Sequence, residues 1–104
     1  MVDKGQQPIK TDQLENGDRI IIVLERHNDM DRGVIRFKGQ LGKSHAGLWY
    51  GIELDEEKGR HDGKGFFKTE AKHATFCKLE NLRKLVSEDF DMRAFKKVLR
   101  ADAL

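Results

Sequence analysis

Ten glycines against a single proline break this chain into short segments. Segments of that length fit strands joined by tight turns and close backbone approaches better than they fit long helices. Gly17-Asp18 opens the β-branched run Arg19-Ile20-Ile21-Ile22-Val23-Leu24, which predicts a strand. The polar stretch from Glu25 to Arg32 reads as a turn, and Gly33-Val34-Ile35-Arg36-Phe37-Lys38-Gly39 as a second, alternating strand. Gln40 to Gly47 is a loop. In the third strand, Leu48 to Leu54, alternation puts Trp49, Gly51 and Glu53 on one face and Leu48, Tyr50, Ile52 and Leu54 on the other. Phe66 to Thr69, Ala74 to Leu79 and Leu82 to Leu85 complete the set. Strands at this spacing without intervening helices predict a small antiparallel barrel or sandwich.

The two ends read differently. Residues 1–16 are polar and are expected to form a flexible N-terminal segment, with room for a short approach strand around Ile9 to Leu14. The barrel is assigned to 17–86. From Ser87 the period becomes helical: Phe90, Ala94, Phe95, Val98 and Leu99 recur at three- to four-residue spacing, giving one apolar stripe over residues 87–101. Ser87 suits an N-cap, and Glu88 and Asp89 suit the positive end of a helix dipole. The stripe fits packing on the barrel, a linker or a partner-binding face, with packing as the default.

At 104 residues the chain holds one domain with short flanks. Its net charge of +2 is too small to point to nucleic acid, which draws on a concentrated basic face. Local asymmetry is stronger. Lys58, Arg60, His61, Lys64, Lys68, Lys72, His73, Lys78, Arg83 and Lys84 face few acids, so this stretch attracts carboxylates. The lone Cys77 excludes an internal disulfide and suits a reducing compartment. No apolar run approaches the roughly 20 residues that cross a bilayer, and the amino terminus has no signal-peptide core. The expectation is a soluble, cytoplasmic chain that makes no membrane contact.

The informative region runs from Gly47 to Phe76. Trp49, Phe66 and Phe67 flank a loop in which Gly59, Gly63 and Gly65 bracket Arg60, His61 and Asp62. Such a bend leaves backbone N–H groups open to a carboxylate, and Arg60 can add a charge-assisted hydrogen bond. Aromatic neighbours supply a wall for a terminal Tyr or Phe ring, a combination that reads chain ends. Asp62 fits a turn-fixing role better than that of a base. Trp49 fits either a core or a groove wall. Phe37 and Phe76, in alternating strands, are expected inside. Of the adjacent pair, Phe67 is expected buried and Phe66 exposed. His61 and His73 lack the partners a zinc site requires, so no metal or other cofactor is expected.

Four segments in order, Gly17-Asp18-Arg19-Ile20, Gly33 to Gly39, Gly47 to Asp55 and Gly59-Arg60-His61-Asp62-Gly63, resemble a CAP-Gly domain over residues 17 to 85. The resemblance implies an all-β fold, a small SH3-like antiparallel barrel of CAP-Gly type, here with a short C-terminal α-helix. It also implies a non-catalytic interaction module whose groove takes acidic, aromatic-ended C-terminal tails of the E-E-Y or E-E-F type. Tails of tubulin and of microtubule end-binding proteins are of this kind, which implies a cytoskeleton-associated location. Carried onto this chain, the ligand-binding set is Trp49, Gly59, Arg60, His61, Asp62, Gly63, Phe66 and Lys68. Arg60 and His61 stand where the family's G-K-N-D-G signature has Lys and Asn. Only Lys64 and Gly65 separate Gly63 from Phe66-Phe67, which shortens the groove rim and marks a divergent member.

Two other functions compete with tail binding. One is a scaffold that binds an internal segment or a folded partner unrelated to tubulin. The other is nucleic-acid binding through the basic stretch and exposed aromatics, disfavoured by Glu53, Asp55, Glu56 and Glu57 beside them. No Ser/Cys–His–acid set or phosphate loop supports an enzyme.

Overall fold

A computed structural model describes residues 7–23, 30–43, 45–57, 66–67, 69 and 73–102, with side chains described through 97. Five strands, β1 (Arg19–Val23), β2 (Met30–Gly39), β3 (Trp49–Leu54), β4 (Ala74–Cys77) and β5 (Leu82–Lys84), precede one helix, α1 (Met92–Asp102). They form a single antiparallel sheet in the order β4-β3-β2-β1-β5. β4 and β5 are its two edges, about 19 Å apart if the sheet were flat, at roughly 4.8 Å per strand. The link between them is Lys78 and the 3-10 turn Leu79–Asn81. Such a turn rises only about 2 Å per residue, so the sheet must curl until its edges approach. This is the physical reason for a small SH3-like barrel.

Inside the curl lie Leu14, Ile20, Ile22, Ile35, Tyr50, Ile52, Leu54, Cys77 and Leu82. Strand alternation delivers Ile20 and Ile22 from β1 and Tyr50, Ile52 and Leu54 from β3 to this side. Burying each large apolar side chain contributes about 1.5–3 kcal/mol. Burial pushes the Cys77 thiol up to about 11.

Four expectations are corrected. β2 starts at Met30: Met30, Asp31 and Arg32, all expected in a turn, pair with Val23, Ile22 and Ile21. Residues 7–16 do not form a free lead. Leu14 is fully buried, and Ile9 forms a bridge to Lys84 through two backbone hydrogen bonds of 2.9 and 2.8 Å. Phe66, Phe67 and Thr69 are not in a strand. The helix begins at Met92, because Asp91 and not Ser87 caps it: Asp91 Oδ1 accepts from the N–H groups of Arg93 at 2.9 Å and Ala94 at 3.2 Å.

Ser87 to Phe90 instead crosses the barrel's outer face. Arg19 donates to both Asp55 oxygens at 2.6 and 2.7 Å, and its Nε donates to Glu88 at 2.7 Å. Arg32 reaches the other Glu88 oxygen at 2.9 Å and lies 4.9 Å from the Phe90 ring centre. Arg19 holds the Asp55 and Glu88 carboxyls below the usual carboxylate range. No helix among the described residues is long and apolar enough to cross a membrane.

Candidate functional site

The candidate site is built on the outer face of β3. Gly51 lies between Phe37 on β2 and Phe76 on β4, each its direct cross-strand partner. With no side chain of its own, Gly51 leaves a gap between the two rings, and Phe67 fills it. A Cβ at Gly51 would overlap the Phe67 ring, with Cδ1 at 3.0 Å, and come within 2.9 Å of the Phe37 Cβ. Glycine is required here by the close approach of a ring.

Phe66 closes the cluster. Its ring centre is 5.0 Å from Phe37 and 5.4 Å from Phe76, edge-to-face, while Phe67 lies 5.6 Å from Phe76. These separations favour mutual holding by quadrupoles. Phe66 is nevertheless 40% exposed, and Phe67 is half-buried. A sizeable apolar ring thus faces outward on an aromatic base.

Phe37 and Phe76, expected in the core, are half-buried members of this outer cluster. The cause is a β-bulge. Ile35 pairs with Ile52, but Phe37 pairs with Gly51, so the register slips by one residue at Arg36. A slip of one turns every later side chain to the other face. Phe76 follows because it is the partner of Gly51 on the other side. The sequence signal for this second cluster was the glycine at position 51 in an otherwise bulky strand.

Trp49 lies on the same face as Gly51, half-buried and outside the core. Gly47, at φ 90°, turns the chain into this strand, and the Trp49 indole N–H donates to the Ala46 carbonyl at 3.2 Å. Lys78 Nζ lies 5.2 Å from the Trp49 ring centre, a cation–π contact. Lys78 makes no ion pair among the described residues, whereas Arg36 is paired with Glu53 at 3.0 Å and Lys38 with Glu15 at 3.2 Å. From the sequence it was one of the basic stretch but not of the ligand-binding set, although two-residue spacing from Phe76 places it on the same face.

Of the expected ligand-binding residues, the structure brings Trp49 and Phe66 to this face. Gly59, Arg60, His61, Asp62, Gly63 and Lys68 lie outside the described residues.

Residues 16–82 match the CAP-Gly domain family. Proteins named CAP-Gly domain-containing linker protein 3 are similar to this chain. Those of Homo sapiens and Mus musculus are 31% identical over 75 residues, which covers 68% of this chain and 13% of theirs. That of Xenopus laevis is 32% identical over 69 residues, covering 62% and 12%. The matches thus span about an eighth of the relatives' own length. The chain belongs to the CAP-Gly family, a family of non-catalytic protein-interaction domains.

Proposed function

We propose that this chain binds acidic, aromatic-ended C-terminal tails of the E-E-Y or E-E-F type, carried by tubulin or by microtubule-associated partners, and that it works in the cytoplasm on the cytoskeleton. The observation that carries this reading is the exposed Phe66 ring on its aromatic base. A terminal Tyr or Phe ring gains apolar burial and edge-to-face contact against it. Only Lys64 and Gly65 separate Gly59-Arg60-His61-Asp62-Gly63 from Phe66 in sequence, a separation short enough for the Arg60 charge to serve the carboxylate that follows such a ring. In the proposed site Arg60 holds that carboxylate, assisted by the backbone N–H groups of the bend. Lys78, beside Trp49 on the same face, offers a second cation for the acidic residues upstream.

Membership of the CAP-Gly family supports the reading, and Arg for Lys at position 60 retains the charge. The test is a titration with a labelled peptide ending in Glu-Glu-Phe. Micromolar binding is expected, lost when the last residue is removed or blocked as an amide, and lost in Arg60→Ala. Equal binding of the shortened peptide rules out recognition of a chain end. It would favour the scaffold role, with an internal segment as ligand.

A further inference from the structure

Glu88-Asp89-Phe90 places two acids before an aromatic ring, and the barrel holds that tripeptide by its charge and its ring. The Glu88 carboxylate bridges Arg19 Nε at 2.7 Å and Arg32 at 2.9 Å. Arg32 also donates to the Glu88 carbonyl at 3.2 Å, and its guanidinium lies 4.9 Å from the Phe90 ring centre. One arginine therefore reads a carboxylate, a backbone carbonyl and a ring together, as planar guanidinium chemistry allows.

Three observations separate this from an ordinary covering segment. Arg19 is oriented by a group outside the segment, because Asp55 grips it with both oxygens at 2.6 and 2.7 Å. A partner group that is already oriented loses little freedom on binding. The segment itself is held by side chains: among the described residues, no backbone–backbone hydrogen bond joins positions 86–90 to the sheet. Its ion pairs are also wet, with side-chain exposures of 50% for Glu88, 33% for Arg19 and 32% for Arg32. Pairs of that exposure hold weakly and are screened by salt.

We infer that Arg19 and Arg32 form a second receptor for acidic-aromatic peptide segments, occupied in cis by Glu88-Asp89-Phe90 and open to an internal segment of the same chemistry on a protein partner. The receptor is independent of the tail-binding reading, because it requires no chain end and none of residues 59–63. Tethering gives Glu88-Asp89-Phe90 a high effective concentration, so a partner gains access when that tripeptide is released.

The probe is a fluorescent peptide, Ser-Glu-Asp-Phe-Asp, blocked at both ends, titrated into the full chain. Binding at least fivefold tighter to E88A/F90A than to the unaltered chain is expected. Adding R32A to that double variant should abolish the gain, and adding R60A should leave it. No gain in E88A/F90A, or a gain that survives R32A, overturns the inference. Loss on adding R60A overturns it too, assigning the peptide to the glycine loop. Circular dichroism checks that each variant is folded. Should E88A/F90A not fold, E88Q alone must bind at least twofold tighter, with the Arg32 Nε–H resonance moving on titration. A stationary resonance overturns the inference.

Discussion

Gly51→Ala isolates the packing that presents Phe66. The new methyl meets two neighbours of different kinds: the Phe67 ring, which can swing, and the Phe37 Cβ at 2.9 Å, which is bound to the backbone of β2. Separations below 3 Å force a shift, and overpacking of this kind costs about 1–3 kcal/mol. For a domain of this size each kcal/mol lowers the melting temperature by about 4–8 °C. The strain divides between the two neighbours. Removing the ring by Phe67→Ala should relieve part of it, while the Phe37 share persists. Equilibrium denaturation of the two single variants and the double variant completes the cycle. The same methyl should cost at least about 0.5 kcal/mol less in the Phe67→Ala background, the lower end of coupling between residues in contact. A neutral Gly51→Ala, or equal costs in both backgrounds, refutes the view that the Phe67 ring occupies the space this glycine leaves.

Four further outcomes follow from the fold. Leu14→Ala should destabilise by about 2–5 kcal/mol, as a member of the barrel core; a loss under ~0.5 kcal/mol would place Leu14 outside it. Asp91→Ala should cost about 0.5–2 kcal/mol and fray the first turn of α1, read as faster amide exchange at Arg93 and Ala94, the two groups it caps. Because Asp55 and Glu88 titrate below their ordinary values in the folded chain, their contribution is fully present above the unfolded carboxyl pKa, about 4. It is lost as the pH falls through the lower folded value. Acid should therefore loosen the C-terminal segment, and Glu88→Gln should flatten the stability profile below about pH 4; an unchanged slope contradicts the pairing. Cys77, buried and with its thiol at about 11, should be alkylated at pH 7.5 roughly a hundredfold more slowly than a free thiol; free-thiol rates would mean that the β4 edge opens readily.

Much of the barrel was legible because its strands obey local rules. β3 is uninterrupted, so alternation correctly separated Tyr50, Ile52 and Leu54 from Trp49, Gly51 and Glu53, whereas Leu48, expected with the first group, precedes the strand and is exposed. Phe37 escaped the same rule because the Arg36 bulge reverses its face, and no residue type in Ile35-Arg36-Phe37 announces a bulge. Leu14 is a single apolar residue in a polar stretch, without a period to mark it as core. Ser87 and Asp91 are both competent caps. Long-range ion pairs from Glu88 to Arg19 and Arg32 keep the first of them outside the helix, and separations of 69 and 56 residues leave no local trace. The candidate site was half legible. Phe66 was marked by the neighbouring loop, but the strand expected to send Phe67 inside is absent and both rings pack on Phe76. Lys78 was marked only as one of a basic stretch, and its place beside Trp49 emerged once β4 was set beside β3.

The most direct test of the proposed binding surface is resonance mapping of the full chain with a peptide ending in Glu-Glu-Phe. The Phe66 and Phe76 rings, the Trp49 indole N–H and the amides of residues 59–63 should shift together and saturate at one concentration, and Phe66→Ala should weaken that saturation at least tenfold. Shifts confined to other faces of the barrel, or binding undiminished in Phe66→Ala, would contradict the account.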